Sequence, residues 1–179
     1  MIIDLHCDTI SEIYKNNSIN LKENNLMIDI NKLKKSDVLL QCFAMFTYLP
    51  DVDSPYNYVN EMISVYEKEI EKNSTDIAFA KSYEDILKNT ENKKISAFLT
   101  IEEGEAIEGS IEKLIHFYNR GVRMMTLTWN FENCIGFGNK KLIKNGECVG
   151  YIPDKENGLK PFGFEVVEKM EELGMIVDI

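Results

Sequence analysis

Strand-like and helix-like segments alternate along this chain, and that alternation constrains the fold more than any other feature. Met1–Leu5 is a short apolar run with an inserted Asp and reads as a buried strand. Thr9–Lys15 reads as a short helix, and Asn16–Asn25, rich in Asn and Lys, as a loop. Val38–Tyr48 (VLLQCFAMFTY) is rich in β-branched and aromatic residues, which favours a strand. In Tyr56–Glu71 the apolar residues Val59, Met62, Ile63, Val65 and Tyr66 recur at near-helical spacing with charges between, predicting a helix. Asp76–Ala80 reads as a short strand. Ser82–Asn89 reads as a helix with Ser82 as N-cap and Asp85 three residues on. Lys94–Ile101 (KISAFLTI) is a third strong strand. Ser110–Asn119 is a helix with Ile111, Leu114, Ile115 and Tyr118 on one face and Gly121 following as its stop. Val122–Thr128 is a strand, and Asn133–Pro161, with six Gly and Pro residues before Pro161, reads as loop. Phe162–Leu173 is a helix ending at Gly174, and Met175–Ile179 a last apolar strand.

Such an order, without repeats or low-complexity tracts, predicts an α/β fold with a parallel sheet and crossover helices. No linker interrupts it, so residues 1–179 are assigned to a single domain. The last residues form a strand that no helix follows, which leaves a parallel sheet with an open edge.

The charge balance excludes some partners. A net charge of −10 argues against nucleic-acid binding, which needs a basic face, and against adsorption to an anionic membrane. No apolar run approaches the ~20 residues of a membrane span. Met1 leads directly into Ile2–Ile3 with no basic start, so a secretory signal is not expected. Cys7, Cys42, Cys134 and Cys148 form no C-x-x-C pair, so a zinc knuckle is not expected, and a cytoplasmic protein with reduced thiols is.

Three places carry residues suited to chemistry. His6 and Asp8 close the first strand, and alternation puts both on one face, from which an imidazole and a carboxylate can reach one divalent cation. The competing reading is a strand-end His followed by an Asp that caps the next helix. Glu102, Glu103 and Glu105 follow the third strong strand. Crowded carboxylates repel unless solvent or a cation relieves them, so they read either as a cation site or as a solvated acidic loop. Trp129, the sole Trp, with Asn130 and Asn133, reads as a pocket wall with amide hydrogen bonds, or equally as a packed ring among turn-forming Asn residues. His116 lies mid-helix, far from any strand end, and is not expected to ligate. Cys7 and Cys42 read as core or mouth residues rather than nucleophiles.

Several segments together resemble the renal (membrane) dipeptidases. Ile3-Asp4-Leu5-His6-Cys7-Asp8-Thr9 is similar to that family's opening D-x-H-x-D motif. Asp29-Ile30-Asn31-Lys32-Leu33, then Val38 to Gln41, resembles its D-L-x-x-L stretch. Ile101-Glu102-Glu103-Gly104 resembles its V-E-G-G segment, and Leu127-Thr128-Trp129-Asn130 with Asn133 the L-T-W-N-x-x-N of bacterial members. Gly158-Leu159-Lys160-Pro161-Phe162-Gly163, Val166-Val167, Met170 and Leu173-Gly174-Met175-Ile176-Val177-Asp178 resemble a further stretch, in family order to the last residue.

The resemblance implies a (β/α)8 TIM-type barrel with two zinc ions, of which this chain holds roughly the first half. It implies that His6 and Asp8 bind the first metal and that Glu102 bridges both, serving catalysis. It also implies that Trp129, Asn130 and Asn133 contact substrate and that a metal-bound hydroxide hydrolyses dipeptides. Glu103 stands where the family usually has Gly, and Glu105 where a His or polar residue often stands. The family's second pair of ligand histidines has no counterpart here, because His116 is the only other histidine. At most one zinc is therefore expected from residues 1–179, with weak activity or none. Two alternatives stand beside this. One is a non-catalytic half-barrel that assembles with itself or another chain to cover its open edge. The other is a phosphoesterase-type metallohydrolase, although those carry H-x-H where this chain has H-x-D.

Overall fold

Side-chain caps fix where four of the six helices begin. The computed structural model describes all residues, 1–179. Helices α1 (Thr9–Lys15), α2 (Ile30–Lys35), α3 (Pro55–Lys72), α4 (Tyr83–Glu91), α5 (Ile111–Arg120) and α6 (Pro161–Leu173) alternate with strands. Asp29, Ser54, Ser82 and Ser110 each accept a hydrogen bond from the backbone N–H three residues on, satisfying a donor that the helix leaves free. Helices α5 and α6 stop at Gly121 and Gly174, whose positive φ angles of 109° and 70° suit glycine.

The strands are β1 (Ile2–Asp4), β2 (Val38–Phe46), β3 (Ile77–Phe79), β4 (Ile95–Glu102), β5 (Val122–Thr126), β6 (Lys140–Lys144), β7 (Glu147–Ile152) and β8 (Ile176–Asp178). The main sheet is parallel, in the order β1-β2-β4-β5-β8. Strand β3 pairs with Ile95–Ala97 of β4, while β5 pairs with Leu99–Glu102, so these two share one edge of β4 end to end. Successive parallel strands joined through helices form part of the wall of a (β/α) barrel.

Strands β2 and β4 are buried along almost their whole length, which explains their continuous apolar runs. Phe43 and Met45 of β2, with Ala97, Leu99 and Ile101 of β4, face the helices. There they meet Met62, Ile63 and Tyr66 of α3, Phe117 of α5 and Met170 of α6 in one continuous core. Each large side chain buried there contributes roughly 1.5–3 kcal/mol. The Tyr66 hydroxyl is satisfied by donating to the Ala97 carbonyl at 3.0 Å. The opposite face of β4 carries Phe98, Thr100 and Glu102. No helix is long and apolar enough to cross a membrane.

Two elements depart from the expected layout. The segment expected to be loop holds the antiparallel hairpin β6–β7, turning at Asn145 and Gly146. Their φ angles of 54° and 84° are those of a type I′ turn, which Asn-Gly favours. Both strands are exposed, so no burial pattern marks them. Helix α2 has only six residues, too few for apolar periodicity to show.

Candidate metal centre

The strand ends that face away from the helices converge at one mouth. The turn after β1 delivers His6 and Asp8, and β4 ends on Glu102. His6 Nε2 lies 3.4 Å from Asp8 Oδ1 and 3.4 Å from Glu102 Oε2. One ligand atom from each of the three lies within 4.8 Å of the others. Around a tetrahedral zinc with bonds of ~2.0–2.2 Å, neighbouring ligand atoms stand about 3.3–3.6 Å apart. Two of the three separations therefore already match such an edge, and the donors, one imidazole and two carboxylates, are of a type zinc accepts. His6 and Asp8 are half exposed and Glu102 largely covered, so the group opens to solvent on one side.

The capping alternative for Asp8 fails on geometry. Asp8 sits at the N-cap of α1 but, unlike the four capping residues above, its side chain accepts no helix N–H. Its carboxylate faces His6 instead. Glu102 is held above the ordinary carboxylate range, first by burial. His6 opposes that effect, while Asp8, Asp178 and Glu103 add to it. A cation would relieve this crowding.

Strand register supplies what surrounds the group. Phe46, Glu102, Thr126 and Asp178 are successive register partners across β2, β4, β5 and β8. Thr126 Oγ1 donates to Asp178 Oδ2 at 2.5 Å. Neither Asp178 nor Phe46 was singled out by sequence. The signal that would find them is the pairing of strand ends, which a single strand does not reveal.

The three glutamates take separate paths. Glu102 points to the mouth. Glu103 is completely buried, with φ of 94°, and accepts from Asn133 Nδ2, Glu105 N and Trp129 N. Burial pushes its carboxyl up, and those three donors pull it back. Glu105 accepts from Cys134 N at 2.6 Å.

Trp129 stands edge-on to Phe46, with ring centroids 5.0 Å apart, and close to Tyr48 and Phe131. Asn130 lines a cavity of about 540 Å³ beside the β6–β7 hairpin, together with Phe131, Lys140, Lys141 and Asp154. Asn133 is buried and committed to protein partners. Its Nδ2 donates to Glu103 and to the Leu127 carbonyl, and its Oδ1 accepts from Ile135 N and Gly136 N. His116 is exposed on α5, with Nε2 2.8 Å from Asn60 Oδ1. Burial pushes the Cys7 and Cys42 thiols up to about 12, so neither is a thiolate near neutral pH.

Comparisons with known proteins bear on the family and the fold. A family description, membrane dipeptidase (peptidase family M19), matches residues 1–179. An uncharacterized dipeptidase of Schizosaccharomyces pombe is 30% identical over 162 residues, covering 84% of this chain and 37% of that protein. A second from the same yeast is 28% identical over 205 residues, covering 99% of this chain and 46% of that protein. The chain thus spans less than half the length of these relatives. Among solved structures, a metallopeptidase from Rhodobacter sphaeroides liganded with a phosphinate mimic of L-Ala-D-Ala superposes with a TM-score of 0.84 at 17% identity, covering 99% of this chain and 57% of that one. A metallopeptidase of family M19, the dipeptidase AC, gives 0.82 at 18% identity, covering 99% and 55%. Those likenesses establish the partial TIM-type barrel wall. With the family match running from the first residue to the last, the chain belongs to the membrane dipeptidase family, M19.

Proposed function

We propose that residues 1–179 furnish the His6–Asp8–Glu102 part of a zinc centre that serves dipeptide hydrolysis. The observation that carries this reading is the convergence of one imidazole and two carboxylates, from the turn after β1 and the end of β4, with His6 at tetrahedral-edge spacing from both carboxylates. Zinc held there supplies Lewis acidity and lowers the pKa of a bound water toward neutrality.

The chain's own groups do the rest. His6 offers an imidazole nitrogen, and Asp8 and Glu102 offer carboxylate oxygens whose charge a divalent cation balances. Glu102, whose register neighbours are Thr126 and, beyond it, Asp178, would hold the ion from the β4 side. The Trp129 ring packs on Phe46, the register partner of Glu102, and on Tyr48, which sets an aromatic wall beside the end of β4. Asn130, next in sequence to Trp129, lines the cavity beside the β6–β7 hairpin and can hydrogen-bond a peptide group. Asn133 supports this loop from beneath. His116 is engaged elsewhere, so these residues hold one zinc rather than two. Four unpaired cysteines support a reducing, cytoplasmic setting.

The test is a zinc titration of this chain, with hydrolysis of L-Ala-D-Ala and of a phosphate monoester assayed in parallel. The reading expects one zinc per chain, abolished in Glu102→Gln, and dipeptide turnover that is weak at most but exceeds phosphate release. Absence of stoichiometric zinc binding would remove the centre. Preference for the phosphate ester would replace the substrate class.

A further inference from the structure

We propose that Glu103 is a positioning residue of this centre, fixing the Trp129 wall at a set distance from the His6–Asp8–Glu102 group. The metal arm of this proposal rests on the zinc reading above. The anchoring arm rests on hydrogen bonds alone.

Glu103 is fully buried, and a buried carboxylate persists only where donors surround it. Three do. Asn133 Nδ2 at 2.5 Å and Glu105 N at 3.0 Å share Oε1, while Trp129 N at 3.4 Å takes Oε2. Its φ of 94° is one that L side chains rarely adopt, so the surrounding contacts must hold the residue there.

Donor and acceptor accounting shows why the residue is a carboxylate. Asn133 cannot flip, because its Oδ1 already accepts from Ile135 N and Gly136 N. A glutamine at 103 that keeps its carbonyl oxygen on Asn133 and Glu105 must turn its amide N–H groups toward the Trp129 N–H. The reverse orientation opposes two donors instead. Only two acceptor oxygens satisfy both ends.

Position in the chain gives this anchor its reach. Glu103 directly follows Glu102, and the two side chains leave β4 in different directions: one to the mouth, one beneath the loop after β5. Trp129 is thus tied to the end of β4 through its backbone by Glu103. Its ring meets Phe46, the register partner of Glu102. Ligand and wall are set by one dipeptide.

Trp129 is the only tryptophan, so intrinsic fluorescence reports on it alone. Co2+ added to the full chain serves as the metal probe. Its visible absorption counts bound ions, and its quenching of Trp129 depends on distance. For Glu103→Gln, with the far-UV signal retained, the expected result is unchanged Co2+ stoichiometry, red-shifted Trp129 emission, lost protection from acrylamide, and weaker, less uniform quenching by Co2+. A purely structural role would not move the metal-to-Trp quenching while leaving fold and stoichiometry intact. Glu103→Gly accepts the positive φ without strain and removes all three contacts, so it carries the test if the glutamine variant does not fold. Wild-type emission, acrylamide protection and Co2+ quenching in a folded variant would overturn the proposal. So would unfolding of both variants, which a role in stability alone explains. Failure of wild-type chain to bind Co2+ would instead count against the zinc reading, with emission and acrylamide protection still deciding whether Glu103 anchors the loop.

Discussion

His6 Nε2 and Glu102 Oε2 stand 3.4 Å apart although β2 lies between the strands that deliver them. The backbone beside His6 still pairs with β2, where Ala44 N donates to the Cys7 carbonyl at 3.0 Å, so the imidazole reaches the carboxylate over the face of β2 that points away from the helices. Replacing His6 with Ala removes the one imidazole donor and leaves two carboxylates without it. Zinc affinity is expected to fall about tenfold or more, a loss of roughly 1.4 kcal/mol or greater. Isothermal titration measures it, and unchanged affinity and stoichiometry would remove His6 from the site.

Glu102 provides a pH test. Its carboxyl is held above the ordinary 4.5 by burial first. A raised carboxyl favours the folded state while protonated, and that contribution is lost as pH rises through its folded value. Glu102→Gln never acquires the charge. Without metal, the two proteins should melt alike near pH 4, and the variant should be the more stable at about pH 8. Zinc should reverse the order at the higher pH. A metal-free variant less stable than wild type at the higher pH would contradict the electrostatic account.

Asp76 behaves in the opposite sense. Lys22 and Lys34 each donate to it at 2.5 Å and hold its carboxyl at about 2. A depressed carboxyl stabilises the fold above its unfolded value, near 3.8, and loses that contribution as pH falls through about 2. Both lysines are exposed enough for solvent to screen the pair, so Asp76→Asn is expected to destabilise by only about 1 kcal/mol near neutral pH. The difference should vanish in strong acid. Denaturant melts at two pH values decide it.

Gly163, in the first turn of α6, lies against the Ile135 carbonyl, where an added Cβ would overlap the oxygen. Gly163→Ala should destabilise by about 1–3 kcal/mol, because backbone rather than a flexible side chain has to move. Gly158 faces open space, so Gly158→Ala should stay within about 0.5 kcal/mol. Thermal unfolding of the pair checks this, and equal melting temperatures would refute the contact.

Elements that bury a periodic face were legible in the sequence. Helix α1 has the residues expected of it, β2 and β4 differ only at their ends, and Ser82 caps α4 as anticipated. The β6–β7 hairpin escaped notice because its strands bury nothing, although Asn145–Gly146 marks its turn. At the site, spacing left His6, Asp8 and Glu102 open to plainer readings, and the family resemblance drew them together; the structure brings them together from the turn after β1 and the end of β4. The division of labour among Glu102, Glu103 and Glu105 was not legible. It depends on a positive φ at Glu103 and on where Asn133 and Cys134 come to rest, neither of which has a local signature.

The row Phe46–Glu102–Thr126–Asp178 occupies one pleat across four strands. Side chains on a strand switch sides at every residue, so lengthening the stretch 95–101 by a single amino acid would swing Glu102 out among the helices and bring Ile101 to the mouth. An extra residue in 154–157, which joins the hairpin to α6, would leave the row untouched. Reading-frame-preserving insertions should accordingly be purged from β4 and tolerated a short way downstream, a spacing rule imposed by hydrogen-bonded neighbours rather than by any single side chain.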